Sequence, residues 1–180
     1  LIQGDCLVKK QLHPEVVELL AGRPWRLVSN LPYQVASPLL VTLLTSYPEC
    51  LGSFVTIQHE VAQRLMAKVG TSAWGVLTIL VQRLAEVSMI TTVSNTCFWP
   101  QPKVNSACVR VIPHARSKTQ SSEGFGKFIT SLFSSRRKQL GTILGRDHDF
   151  PDNILADARP STLTIDQLER LYETVKTSAD

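Results

Sequence analysis

From Trp25 to Pro113 the chain alternates two periodicities, and that alternation restricts its fold more than any other feature. "WRLVS", "SFVTIQ", "VSMITTV" and "SACVRVI" are short apolar runs rich in β-branched or aromatic residues, as strands are. "HPEVVELLAGRP", "LLVTLLTS", "HEVAQRLMAK" and "AWGVLTILVQRLA" instead carry apolar residues at helical spacing. Strand and helix in turn are the signature of an α/β domain with a mostly parallel sheet covered on both faces. "WRLVS" reads as a short buried strand, and Ser37-Pro38 as the cap and first residue of a helix. Beyond Pro113 the pattern changes. "HARSKTQSSEG" is a polar linker, and "FGKFITSLFSSRRKQLGTIL" and "TIDQLERLYETVK" are helical with no strand between them. Two domains are expected, residues 1–113 and a small helical one at 114–180.

The chain has 180 residues, 43% of them hydrophobic, which suffices for a real core. Its net charge of +4 is unevenly spread: between Arg110 and Arg146 eight Lys/Arg face one acid, Glu123, a local +7 that leaves −3 elsewhere. A concentrated basic segment suits an anionic partner. Cys6, Cys50, Cys97 and Cys108 show no paired spacing and sit in apolar surroundings, the usage of free thiols in a reducing compartment, so a cytoplasmic location is expected. No apolar run approaches the roughly 20 residues that span a bilayer, and the first residues lack the pattern of a signal peptide. No membrane partner is expected.

Two stretches stand out. In Asn30-Leu31-Pro32-Tyr33 a strand-like run meets a polar residue, a proline and an aromatic before a helix restarts. Taken alone such a corner reads first as a plain strand-to-helix turn, but ligands of open α/β sheets bind outside the carboxyl ends of strands, where this corner falls. Asp5 is expected in the same layer, after a short strand at Leu1–Gln3. In "FWPQPKVNSACVRV" two prolines at spacing two hold the chain extended before a strand and fix the direction of Phe98. Other site types are weaker. His59-Glu60 begins a zinc-protease motif, but Gln63 stands where the second histidine would fall, so no metal site is expected. Four scattered histidines support no Ser-His-Asp arrangement. Lys9-Lys10 reads as a solvated turn, and Trp25, Trp74 and Trp99 as packing residues. Arg136-Arg137-Lys138 reads as a phosphate-contacting patch, or otherwise as a solvated helix face.

Together these stretches resemble the ribosomal RNA adenine dimethyltransferases, which use S-adenosylmethionine to methylate adenine N6 twice. The resemblance runs through Gly4-Asp5, Asn30-Leu31-Pro32-Tyr33, "QHEVAQRLMA", "FWPQPKVNSACVRV" and "FSSRRKQLGTIL" to the last helix. It implies a Rossmann-like methyltransferase sheet, here incomplete, followed by a small helical RNA-binding domain. It also implies site roles. Asn30 and the Leu31 carbonyl would accept the two amine hydrogens of the target, Pro32 would stiffen the corner, and Tyr33 and Phe98 would enclose the adenine. Asp5, Cys6 and Asn30 would hold the cofactor, and Lys103, Arg136, Arg137 and Lys138 the RNA. Basic "SSRRKQL" resembles the small-subunit branch, which acts on tandem adenines in ribosome biogenesis, more than the large-subunit branch that confers antibiotic resistance. Asn105 departs from the Asp often found there. A catalytically silent RNA-binding assembly factor is the remaining alternative.

The family's glycine-rich loop and ribose-binding acid lie upstream of Gly4-Asp5, and no counterpart is present in these 180 residues. The chain is therefore expected to be a front-truncated fragment, inactive alone and weak in binding the cofactor. In the sheet order 3-2-1-4-5-7-6 that the resemblance implies, "WRLVS" becomes an edge. Leu1 to about Leu12 would then be disordered, refolded against that edge or paired with a second molecule, and self-association through the edge is expected.

Overall fold

The computed structural model describes residues 2–9, 11–115 and 122–177. Leu1, Lys10 and most of the expected linker, residues 116–121, lie outside them. The fold divides into two compact units, Leu1–Met66 with Val81–Thr119, and Ala67–Leu80 with Gln120–Asp180. The segment 67–80, which sequence reasoning grouped with the sheet, falls in the helical unit.

The first unit opens with a small hairpin of β1 (Leu7–Val8) and β2 (Gln11–Leu12), then α1 (Pro14–Leu20). Lys9 adopts a left-handed φ of 50° in the hairpin's turn. Ile2 and Gln3 carry no strand, so the expected strand at Leu1–Gln3 is absent where it is described. Neither do the described residues of the Leu1–Leu12 segment pair with the larger sheet. Leu7 and Leu12 pair with each other, and the Leu12 amide donates to the Tyr47 hydroxyl at 2.9 Å.

The larger sheet contains β3 (Trp25–Asn30), β4 (Cys50–Gln58), β5 (Ala85–Val93) and β6 (Ser106–Pro113) in the order β3-β4-β6-β5. β3 and β4 are parallel, whereas β6 runs antiparallel to both β4 and β5. Three of the four strands therefore share one direction, with a reversed strand inserted among them. The sheet is less parallel in its ladders than the strand–helix alternation suggested, because the 94–105 loop brings β6 back beside β5. β3 is the edge, with no strand outside it among the described residues.

Registers define the two faces. Val55, Val109 and Val111 lie on one face with Ile57 and Ala107, and all are essentially fully buried. α2 (Tyr33–Ser46) and α3 (His59–Leu65) pack against β4. Ala36, Leu39, Leu40 and Leu43 form the buried stripe of α2, at the spacing of one helical face. The opposite face carries Val28, Phe54, Thr56, Cys108 and Arg110, and Val28 is 79% exposed. The sheet is thus covered on one face only among the described residues, and β3 is not the buried strand that its sequence suggested. α2 begins at Tyr33, not at Ser37, because the Pro32 carbonyl already accepts from Val35 at 3.0 Å and Ala36 at 3.2 Å. Pro38 lies inside the helix. Among the cysteines, only Cys50 is buried and Cys97 is exposed.

α4 (Val76–Leu84) is divided between the units, and the second unit continues with α5 (Ser122–Ser134), α6 (Leu140–Leu144) and α7 (Ile165–Thr177). Trp74, Phe125, Ile129, Leu132, Leu168 and Leu171 form its core. Tyr172 meets Phe125 edge-on at 5.6 Å between ring centroids and Phe128 at 5.4 Å. The stretch "FGKFITSLFSSRRKQLGTIL", expected to be helical, is helical in two pieces with a turn between them. α5 ends at Ser134, and amides of the next helix are held from outside it, Leu140 to the Ala158 carbonyl at 2.8 Å and Gly141 to that of Ala156 at 2.7 Å.

The one-sided sheet sets the cost of truncation. Ile57→Ala, at a fully buried site, should lose about 2 to 5 kcal/mol of unfolding free energy, and Val28→Ala less than about 0.5 kcal/mol. Urea denaturation of the two variants measures both.

Candidate active site

Because β3 and β4 are parallel and β6 returns antiparallel between β4 and β5, four strand ends gather at one end of the sheet. Asn30 lies opposite Thr56, Gln58 opposite Ser106, and Val93 also opposite Ser106. The end of β3, the end of β4, the end of β5 and the start of β6 therefore share one rim. This is the carboxyl end of the parallel strands, where α/β sheets bind ligands.

The Asn30–Tyr33 corner is built from its proline. The Leu31 amide donates to the Thr56 carbonyl at 3.1 Å and extends the ladder one residue past β3. Pro32, with its ring-fixed φ of −55°, turns the chain out of the strand, and its carbonyl starts α2. Leu31's side chain is buried, at 5% exposure, and anchors the turn. Asn30 is exposed. Neither the Asn30 side chain nor the Leu31 carbonyl takes a hydrogen bond among the described residues. Two neutral acceptors thus stand unclaimed on adjacent residues. Tyr33 is half-buried, and its hydroxyl and Ser106 Oγ are 3.2 Å apart. That bond ties the corner to the start of β6 and so to the 94–105 loop.

The loop is held internally. Asn105 accepts at its backbone carbonyl from the His59 amide at 3.0 Å and at Oδ1 from the Asn95 amide at 3.1 Å. Asn95 Nδ2 in turn donates to the Pro102 carbonyl at 3.2 Å. Phe98 is half-buried, directly after a short 3-10 turn at Asn95–Cys97. Trp99 is 96% exposed, so it does not pack as expected, whereas Trp74 does, at 2%. A polar cleft of about 470 Å³ opens beside this loop, lined by Gln58, His59, Glu60, Gln63, Asn95, Lys103, Val104 and Asn105.

The structure brings Asn30, Leu31, Pro32 and Tyr33 together on the rim, with Phe98 and Lys103 on the loop that leaves it. Asp5 and Cys6 are placed differently. Asp5 Oδ1 accepts from the Leu7 amide at 3.1 Å, and the Cys6 carbonyl from the His13 amide at 3.0 Å. Their hairpin is tied to Tyr47, just before the amino end of β4, and none of these bonds runs to Asn30. Burial, then the neighbouring Asp5 carboxylate, raises the Cys6 thiol above its ordinary range, so it stays protonated at neutral pH and is a poor nucleophile. In the second unit Arg136, Arg137 and Lys138 occupy the turn between α5 and α6, not a helix face. Arg136 Nη2 donates to the Ser72 carbonyl at 3.1 Å, while Arg137 and Lys138 are exposed. No cluster of three or more His, Cys, Asp or Glu side chains suited to a metal ion occurs among the described residues, and no described helix is long and apolar enough to cross a membrane.

Residues 1–176 match the family of ribosomal RNA adenine dimethylases. The chain belongs to that family. It is 34% identical over 162 residues to the ribosomal RNA small subunit methyltransferase A of Chlorobium chlorochromatii, covering 89% of this chain and 62% of that protein. It is also 34% identical to the protein of the same name from Chlorobaculum tepidum, over 98% of this chain and 63% of the relative. The chain thus spans a little under two thirds of the length of these relatives. Among solved structures, a dimethyladenosine transferase from Plasmodium falciparum superposes with a TM-score of 0.74 at 25% identity, covering 85% of this chain and 67% of that one. The 23S rRNA methyltransferase ErmE shares the fold with a TM-score of 0.62 at 21% identity, over 86% and 66% of the two chains. The Rossmann-like α/β fold is that of these methyltransferases.

Sequence reasoning missed the Tyr33–Ser106 bond and the Asn95–Asn105 bridge. Both join residues brought together by β6, and no local pattern reports a register. Ser106 is 1% exposed, and Tyr33 is the hydrogen-bond partner its hydroxyl has. Tyr33→Phe should therefore cost about 1 to 3 kcal/mol by stranding a buried hydroxyl, and adding Ser106→Ala should recover most of it. A double-mutant cycle by thermal denaturation measures the coupling.

Proposed function

We propose that this chain belongs to an enzyme that uses S-adenosylmethionine to dimethylate adenine N6 in small-subunit ribosomal RNA, and that it carries the target-adenine corner of that enzyme. The observation that carries the reading is the pair of unclaimed acceptors, Asn30 Oδ1 and the Leu31 carbonyl, at the carboxyl end of β3 beside the half-buried Tyr33 ring. An adenine amine has two hydrogens and a lone pair delocalised into its ring, which makes it a weak nucleophile. Two acceptors that take those hydrogens draw the nitrogen toward a tetrahedral shape and localise the lone pair. Pro32 keeps both acceptors in one geometry, so the substrate meets a preorganised site. Tyr33 offers a face on which an extruded base stacks, and Phe98 a second aromatic on the adjoining loop. No base has to act beforehand, because the amine is neutral and loses its proton afterwards.

The residues present fit one end of the cofactor. The Asp5 carboxylate accepts from the Leu7 amide and bears on the Cys6 thiol, and the Cys6 amide is unpaired among the described residues, so an acceptor and a donor for an adenine edge fall on adjacent residues. S-adenosylmethionine supplies an electrophilic methyl group when bound. Asn30 would serve both it and the substrate.

Small-subunit RNA is favoured over large-subunit RNA by the names and 34% identities of the curated relatives, against 21% for the large-subunit enzyme. Lys103, Arg136, Arg137 and Lys138 would contact RNA phosphates.

The experiment is methyl transfer from labelled S-adenosylmethionine to under-methylated small subunits, by this chain and by a chimera that adds the remaining length of the Chlorobium chlorochromatii protein. The chimera should be active. Asn30→Ala in it should lower the rate a hundredfold or more, a loss of about 3 kcal/mol. A chimera that binds RNA and transfers no methyl would replace the enzyme reading with that of an RNA-binding assembly factor.

Replacing Arg136, Arg137 and Lys138 by Ser should weaken RNA binding across sequences and reduce the log–log salt slope by roughly 0.7 to 0.9 for each phosphate that is no longer neutralised. Fluorescence anisotropy at several salt concentrations reads both, and an unchanged slope would remove these residues from the interface.

A further inference from the structure

The polar cleft beside the 94–105 loop is not explained by the target adenine alone. Its size, about 470 Å³, is that of a small-molecule site. Its chemistry is unusual for a surface hollow, because four of its lining residues are carboxamides, Gln58, Gln63, Asn95 and Asn105. Two of these are held in place. Asn105 Oδ1 is committed to the Asn95 amide, so its Nδ2 remains to donate, and Asn95 Nδ2 is committed to Pro102, so its Oδ1 remains to accept. Gln58 and Gln63 have no side-chain partner among the described residues. The cleft therefore offers fixed and adjustable donors and acceptors of the kind that pair with a nucleobase edge.

Its electrostatics favour the same ligand. The carboxylate of Glu60 is held by Arg64 at 2.6 Å, whereas Lys103 is exposed and has no ion-pair partner among the described residues. The uncompensated charge in the cleft is positive, as a phosphodiester requires. The same loop presents Trp99, 96% exposed, a face for stacking an unpaired base. The cleft also adjoins the corner, since Asn105 immediately precedes Ser106, which bonds Tyr33.

We propose that this cleft, with Gln58, Gln63, Asn95 and Asn105 on the base edge and Lys103 on the phosphate, binds the nucleotide that neighbours the target adenine on a single-stranded stretch of RNA. The inference rests on the methyltransferase reading, which supplies the target adenine at Tyr33. Holding the neighbour would fix the direction of the strand and keep the target extruded, so that recognition would extend beyond one base.

The test titrates the chain with the trinucleotide ApApA and follows the side-chain amide resonances of the four carboxamide residues by nuclear magnetic resonance. Those resonances should shift saturably. Gln63→Ala, at an exposed site, should weaken binding about fivefold. Lys103→Met should lower the salt slope by about 0.7, the share of one single-strand phosphate. Matching thermal denaturation curves would show that both variants are folded. ApApA that binds without moving these resonances, that binds both variants within twofold of the parent, or that does not bind by about 1 mM overturns the inference. The readout is independent of methyl transfer. An active chimera with an idle cleft leaves the enzyme reading standing, and an inactive chimera with an occupied cleft leaves the cleft standing.

Discussion

The reversed strand β6 is the constraint on which the sheet and its rim depend. It is buried between β4 and β5, with Ala107, Val109 and Val111 essentially inaccessible, so the registers on both sides are set by one apolar stripe. A slip of one residue would turn that stripe to the other face, where Cys108 and Arg110 now lie. Arg110 is itself committed there, donating to Ser88 Oγ at 3.1 Å and approaching Glu86 at 3.9 Å. Both faces thus specify one register. That register delivers Ser106 to Tyr33 and Asn105 to His59 and Asn95.

The rim then separates two kinds of rigidity. At the Asn30 corner the backbone is fixed by the pyrrolidine ring of Pro32, which holds φ at −55° where the strand gives way to α2. In the 94–105 loop it is fixed by what asparagine supplies, a side chain that satisfies backbone groups away from a regular element. Both leave polar atoms uncommitted where a ligand would need them.

Strands, helices and the change of pattern after Pro113 are legible in the sequence because they depend on local periodicity. Asn30 to Tyr33 is legible as a corner because a polar residue, a proline and an aromatic interrupt an apolar run. What is not legible depends on distant partners or on competition between neighbouring signals. Ser37-Pro38 makes a good local cap, but the Pro32 carbonyl already begins the helix at Tyr33. Val28 reads as a core valine and is open, because no described element covers its face. Arg136 to Lys138 read as helical from their neighbours, and they turn because Leu140 and Gly141 are bonded to Ala158 and Ala156. Asp5 has the sequence context of a cofactor ligand, and the hairpin that carries it is anchored by Tyr47, through a bond that spans 35 residues between Leu12 and Tyr47.

The residue type at the corner follows from the chemistry proposed for it. An aspartate at position 30 would accept from an amine more strongly, but an exposed carboxylate is charged at neutral pH and attracts any cation. Asparagine offers an acceptor of the same reach with no charge, and its Nδ2 adds a donor that a carboxylate lacks. The backbone carbonyl of Leu31 is likewise neutral and cannot be protonated near neutral pH. A second methylation at the same nitrogen requires that the first product be held without being trapped. On the proposed reading two neutral acceptors on a stiff corner would meet that requirement, because the singly methylated amine would keep one hydrogen to donate and the acceptor released by the first methyl would cost little to leave facing solvent.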